Sequence, residues 1–316
     1  MTDKVAVIGS GLIGRSWAIS FSRAGYDVAL YDAAPGAAHA ALGFVDAVLA
    51  DLHRDGLLNG NEPDAVRGRI KIAATVADAL RGAVYVQENT PERLDTKIEV
   101  FRELDQLAAP DTVLASSTSA LLPSKFTETL PGRSRCLVVH PINPPYLVPA
   151  VEVVPAPWTD AGVLARVGAL MRAAGHAPIM MNKEIDGFVM NRLQGALLQE
   201  AFRLVAEGYA STEDVDIGIR DGLGLRWSFM GPFETIELNA PAGVADYIAR
   251  YEGLYKTLWQ TQQHIVPWGG ALSERVDAER RQKLAATDLP ERARWRDRRL
   301  MALVAQKRDA DSKIGS

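Results

Sequence analysis

One cysteine in 316 residues leaves no partner for an internal disulfide, which excludes the cross-linked framework of small secreted domains. Cys136 lies inside an apolar run and reads as a buried thiol of a reducing compartment, the cytoplasm by default. No apolar stretch approaches the roughly 20 residues of a membrane-spanning helix, and no basic segment with an apolar core opens the chain, so neither membrane insertion nor secretion is expected. Positive charge is also lacking: a net charge of −4 gives no general attraction for nucleic acid. The arginine-rich tail, residues 291–313, reads as a solvated helix face. No internal repeat or low-complexity segment is present. The remaining composition, 47% apolar and 23% charged, is that of a globular protein long enough for two domains.

The first organised unit is a nucleotide site. Residues 5–8 form a short apolar run suited to a buried strand, followed at once by Gly9, Gly11 and Gly14, with Leu12 and Ile13 between the last two. Trp17, Ala18, Phe21 and Ala24 then recur at helical spacing, and a second apolar run, 27–31, ends at Asp32. Gly9 permits a tight turn, Gly11 lets backbone approach a pyrophosphate, and Gly14 allows close packing of helix on strand. The helix N-terminus offers N–H groups and a positive dipole end to the phosphates. Asp32 is placed to accept from the adenosine ribose and would repel a 2′-phosphate, and Ala33 and Ala34 supply no arginine to welcome one. NAD is therefore expected rather than NADP.

Helical and apolar segments alternate onward. Residues 36–68 are expected to be helical with a loop near 59–63, strands are expected at 70–73, 84–86 and 112–115, and a helix over 92–107. The hydroxyl cluster 116–119 follows a strand, where it can cap a helix or face a ligand. A helix capped by Thr159 runs to Ala174, and 178–181 closes a mostly parallel sheet. From Phe188 the pattern changes to helices alone, with a capping box at Ser211 to Asp214 and a helix opened by Pro232. The expected organisation is an α/β nucleotide-binding domain over residues 1–185 and an all-helical domain over 186–316.

Residues 136–154 sit between these parts: an apolar strand ending in His140, a proline-stiffened loop with Asn143, and a second apolar strand carrying Glu152. Removing a hydride from a secondary alcohol requires a base for the hydroxyl proton, and an imidazole with an unperturbed pKa of roughly 6.5 suits that task. His140 is the candidate, because His39, His53, His176 and His264 fall in segments that read as surface helix, helix stop or loop. Glu152 is flanked by valines and needs a partner, which can be His140, an arginine or backbone. Asn191, one turn into the helical part, and Ser119 are candidates to hold the developing carbonyl oxygen, though an ordinary helix asparagine and a turn serine fit the same positions. Asn143 can reach the nicotinamide half of the cofactor.

The glycine fingerprint, Ser119, His140 with Asn143, Glu152 and the segment from Asp186 to Arg192 together resemble the 3-hydroxyacyl-CoA dehydrogenase superfamily. Segments 87–92, 116–119, 140–146, 222–226, 231–235 and 295–297 resemble its lambda-crystallin or L-gulonate 3-dehydrogenase branch, and the similarity spans nearly the whole chain. The resemblance implies a Rossmann-type NAD domain followed by a helical dimerisation domain, hence a homodimer. It implies His140 as base, Glu152 as its orienting partner, Ser119 and Asn191 as contacts to the substrate oxygen, and Glu92 and Lys97 as cofactor contacts. L-gulonate is the substrate it suggests.

A CoA thioester carries several phosphate charges, yet residues 36–60, where the family grips CoA, contain Arg54, no lysine, and the acids Asp46, Asp51 and Asp55. A free hydroxy acid needs one planar cation for its carboxylate, and Arg226 is the candidate clamp. A 3-hydroxyacyl-CoA dehydrogenase and a non-catalytic NADH-binding protein are the alternatives, the latter disfavoured by an intact set of Ser119, His140, Glu152 and Asn191.

Overall fold

Short, mostly apolar runs build eight strands in the computed structural model, which describes residues 3–315, and the central ones alternate between two buried faces. They are β1 (Lys4–Ile8), β2 (Asp27–Tyr31), β3 (Ile70–Ile72), β4 (Ala83–Glu88), β5 (Val113–Ser116), β6 (Cys136–Pro141), β7 (Ala150–Pro155) and β8 (Ala177–Met180). The order is β3-β2-β1-β4-β5-β6-β7-β8. The first six are mutually parallel, whereas β7 runs antiparallel to β6 and carries β8 parallel to itself. This is the mostly parallel sheet expected, with β1 and β4 at the topological switch where such folds place their ligands.

The central strands feed two cores. Val5, Val7, Leu137 and Val139 point into one, with Trp17 and Phe21 of α1 (Leu12–Arg23). Ala6, Ile8, Cys136 and Val138 point into the other, with Phe101 and Phe126. Every large side chain so enclosed contributes about 1.5–3 kcal/mol relative to exposure. Burial also pushes the Cys136 thiol up to about 12, which keeps it protonated and inert. The covering helices are α2 (Ala37–Arg54), α3 (Pro63–Gly68), α4 (Val76–Leu80), α5 (Leu94–Leu107), α6 (Ser124–Thr127) and α7 (Ala161–Ala173).

Helix α5 begins at Leu94 rather than Glu92, and two further expected helix starts shift. Helix α7 begins at Ala161 because the Asp160 carboxylate accepts from the Gly162 and Val163 N–H groups. Thr159, the expected cap, instead accepts from Ala156 N–H at 2.9 Å and donates to the Cys136 carbonyl at 2.7 Å. The first helix of the C-terminal part, α8 (Met190–Ala206), begins two residues after Phe188 because Gly187 and Phe188 adopt φ of 76° and 52°, outside the helical region.

The chain divides into two compact units, Met1–Met190 with Arg296–Gln306, and Asn191–Trp295 with Lys307–Ser316. The C-terminal helices after α8 are α9 (Thr212–Ile217), α10 (Gly224–Trp227), α11 (Pro232–Glu237), α12 (Val244–Gln262), α13 (Ala271–Lys283) and α14 (Leu289–Ile314). Helix α9 has the expected capping box between Ser211 and Asp214, and Pro232 opens α11. The arginine-rich tail is not a solvated face throughout: Met301 is buried, and Leu300, Val304 and Ala305 pack on the first core.

Candidate active site

The glycine turn is closed at two positions and open at one. Gly9 has φ +87°, and a Cβ there would lie 2.8 Å from the Asn89 carbonyl oxygen. A Cβ at Gly14 would lie 1.8 Å from the Gly9 carbonyl oxygen, so helix and turn are in direct contact. At Gly11 a Cβ would meet nothing within 4 Å. Gly11 is also the N-cap of α1 and no side chain caps it, so the N–H groups that follow, those of Leu12 and Ile13 among them, face the open side. That combination fits a dinucleotide pyrophosphate, and NAD is the cofactor of this domain.

Asp32 terminates β2 beside this turn. Burial alone would push its carboxyl up, but the Ser10 N–H, the Ala34 N–H and the Ser10 hydroxyl hold it below the ordinary carboxylate range. Its Oδ2 accepts both Ser10 bonds, at 2.6 and 2.8 Å, and Oδ1 accepts from Ala34 at 2.9 Å. One acceptor position remains on Oδ1, and the carboxylate is ionised.

Antiparallel pairing of β6 and β7 sets His140 opposite Glu152 in the register. Directly opposed residues project to the same face, their Cβ atoms about 4.5–5.5 Å apart. Glu152 Oε2 lies 2.7 Å from His140 Nδ1. Its other oxygen, Oε1, accepts the Val189 N–H at 2.6 Å and the Met190 N–H at 2.8 Å. These N–H groups open α8, and the positive φ of Phe188 turns them toward the carboxylate while its ring lies 5.7 Å from the imidazole. Both Glu152 oxygens thus face donors, and a hydrogen bond accepted from His140 Nδ1–H fixes the tautomer that leaves the Nε2 lone pair to accept. Of the pairings open in the sequence, the structure thus has imidazole and backbone together.

The turn after β5 is held by a second carboxylate. Glu92 Oε1 accepts from the Thr118 hydroxyl, from Ser119 N–H at 3.0 Å and from Ala120 N–H at 3.1 Å. Asn143 follows β6, and its side-chain Oδ1 is enclosed with no hydrogen-bond partner among the described residues, an acceptor directed at a missing donor. Lys97 is buried, and its three ammonium protons all go to protein: Glu88 Oε1 at 2.8 Å, Glu88 Oε2 at 2.9 Å and the Thr90 carbonyl at 3.0 Å. A cofactor contact by Lys97 would have to displace one of these. Asn191 is the second residue of α8 and Arg226 the third of α10, both in the C-terminal unit. The role of Glu88, which accepts from the Ser116 hydroxyl at 2.6 Å, is not readable from the sequence because their meeting depends on the parallel pairing of β4 with β5.

His176, expected at a helix stop, is buried against the Trp17 ring at 4.8 Å. Among the described residues no group of three or more His, Cys, Asp or Glu side chains could hold a metal ion, and no helix is long and apolar enough to cross a membrane.

Comparison with known proteins matches residues 4–185 to the 3-hydroxyacyl-CoA dehydrogenase NAD binding domain and residues 187–277 to the C-terminal domain of the same family. A lambda-crystallin of Oryctolagus cuniculus is 41% identical over 307 residues, covering 96% of each chain. An L-carnitine dehydrogenase of Pseudomonas aeruginosa is 36% identical over 311 residues, covering 98% of this chain and 95% of its own. Among solved structures, an NAD-dependent dismutase, 5-formyl-3-hydroxy-2-methylpyridine 4-carboxylic acid 5-dehydrogenase, superposes with a TM-score of 0.81 at 26% identity, covering 98% of this chain and 99% of its own.

Proposed function

Because the chain belongs to the 3-hydroxyacyl-CoA dehydrogenase family and is an NAD-dependent dehydrogenase, we propose that it oxidises the 3-hydroxyl of a small free hydroxy acid, with His140 as the base. The observation that carries this reading is the buried contact of 2.7 Å between His140 Nδ1 and Glu152. It leaves Nε2 to take the hydroxyl proton as the carbonyl forms, and the ionised Glu152 stabilises the resulting imidazolium. Bound NAD supplies the hydride acceptor. Ser119 and Asn191 are assigned the substrate oxygen and Arg226 the substrate carboxylate. Asp32, the N–H groups around Gly9, Gly11, Leu12, Ile13 and Gly14, and the acceptor of Asn143 are assigned to the cofactor, with Glu92 holding the Ser119 turn beside it.

A free acid is favoured over a CoA thioester by the electrostatics of α2. Arg54, the one arginine between residues 36 and 60, is paired with Asp51 of the same helix at 2.8 Å and with Asp55 just past its end at 3.2 Å, so its charge is answered locally. L-gulonate, suggested by the sequence resemblance to the L-gulonate 3-dehydrogenase branch, and carnitine, named by the L-carnitine dehydrogenase relatives, share a 3-hydroxy carboxylate core. The C-terminal unit is assigned the contact of a homodimer.

The test is NADH formation by the purified protein with NAD and a panel of free 3-hydroxy acids including L-gulonate and carnitine, beside 3-hydroxybutyryl-CoA. Turnover of a free acid is expected, lowered about 10²- to 10⁴-fold by His140→Ala. Turnover of the thioester alone would overturn the free-acid assignment, and NADH binding without turnover of any compound would favour a binding role.

A further inference from the structure

Glu88 and Lys97 face each other as an ion pair at 2.8 Å in a dry place, their side chains no more than 1% exposed. The attraction of such a pair is offset by the cost of stripping both ions of water, so stability alone gives little reason for it. Its bonds give another. Glu88 Oε1 accepts the Thr90 N–H and hydroxyl, both at 2.5 Å, besides Lys97, and Oε2 accepts the Ser116 hydroxyl at 2.6 Å. Lys97 adds the Thr90 carbonyl. Four segments meet there: the end of β4, the turn through residues 89–93, the first turns of α5 and the end of β5.

What these segments hold lies on the cofactor side. The glycine turn packs on the Asn89–Thr90 peptide, where a Cβ at Gly9 would come within 2.8 Å of the Asn89 oxygen and 3.3 Å of the Thr90 nitrogen. That nitrogen is the one bonded to Glu88. Past Ser116, the Ser117 hydroxyl donates to Asn89 Oδ1 at 2.7 Å, and the next three residues bond Glu92.

We propose that Glu88 and Lys97 are a positioning pair that sets the glycine turn and the Ser119 turn relative to each other without touching cofactor or substrate. The pair acts as a unit: either charge left alone pulls the 89–93 turn or water toward itself, whereas a neutral pair leaves the turn where it is. A direct cofactor contact by Lys97 has the opposite consequence, since the lost contact cannot be restored by changing Glu88.

The experiment is a double-variant cycle on the full-length protein, titrating NADH by its own fluorescence for Lys97→Met, Glu88→Gln and the two combined. Each single variant is expected to weaken NADH binding about tenfold, and the combination to recover to within about threefold of the parent, a coupling typical of groups in direct contact. With whichever 3-hydroxy acid is turned over, Lys97→Met should lower kcat about a hundredfold, the effect of a roughly 1 Å misplacement, while the KM for the acid stays nearly constant. A combined variant no better than the singles, or singles that bind NADH as the parent does, would overturn the pair. Thermal unfolding of each variant, with a midpoint well above the titration temperature, ensures that a changed dissociation constant reports the turns and not a partly unfolded sample, whereas a purely structural pair lowers that midpoint and leaves the constant unchanged. If Lys97→Met does not fold, Glu88→Gln against the combined variant gives the same comparison. Only the kcat arm rests on the hydroxy acid reading, and its failure would leave the NADH comparison standing.

Discussion

His140 and His176 are both buried imidazoles, and their neighbours separate their roles. His140 places its Nδ1 2.7 Å from the Glu152 carboxylate. His176 faces the Trp17 ring and the Arg23 guanidinium, with the Pro149 carbonyl 3.2 Å from Nδ1. Burial first, and Arg23 second, lower its pKa to about 4 against the opposing pull of that carbonyl. The unfolded chain therefore binds a proton at His176 below about pH 6.5 that the folded chain refuses until about pH 4. Stability from this site is complete above pH 6.5 and lost as pH falls toward 4, amounting to about 2 kcal/mol by pH 5. His176→Phe keeps a ring beside Trp17 and removes the titration. Denaturant unfolding of this variant at pH 7 and pH 5 should show a smaller loss on acidification than the parent by about that amount. An equal loss in the two proteins would mean that the imidazole is not held neutral.

At the scale of elements, the glycine turn predicts two outcomes for one chemical change. Gly11→Ala places a methyl in open space at φ −62°, so the fold should be intact while the methyl stands where the pyrophosphate must approach. Gly14→Ala drives a methyl into the Gly9 carbonyl, so helix and strand must separate and both stability and NADH binding should fall. Thermal unfolding beside NADH titration distinguishes them, and a destabilised Gly11→Ala would refute the division. This turn was legible in the sequence because strand, glycines, helix and acid each have a local signature within residues 5–32. The partner of Glu152 was not, because two residues twelve apart can meet in many ways. A signal existed all the same: residues 142–149 are too few for a parallel crossover, which needs a dozen or more, so β6 and β7 had to be antiparallel, which brings the end of one and the start of the other, and with them the histidine and glutamate, close together. The α8 start was illegible for a different reason, since nothing local announces a phenylalanine at φ 52°; the bonds to Glu152 that hold it there come from another strand.

At the scale of the whole molecule, the C-terminal unit leaves apolar surface that its own helices do not cover. No residue of α12 is buried, although Ile248, Tyr251, Tyr255, Leu258 and Trp259 recur along one side at helical spacing, with Leu254 beside them. An amphipathic helix ordinarily turns such a stripe inward, and a contiguous exposed patch of this kind marks an association surface. Self-association is the occupant assigned above, and a stable interface buries about 1,200–2,000 Å² in total, which one helix face with its neighbours can supply from each copy. Sedimentation should therefore give about twice the chain mass of 34.3 kDa. Leu254→Glu with Leu258→Glu places like charges on both sides of a two-fold contact, where each meets its counterpart or apolar surface, and should shift the protein to monomer at micromolar concentration while leaving the NADH affinity of the N-terminal unit unchanged. A parent that sediments as a monomer, or a charged variant that stays dimeric, would remove α12 from the contact. The two glutamates face solvent in a free chain, so a variant that unfolds outright would show instead that the C-terminal unit does not hold its helices without a second copy.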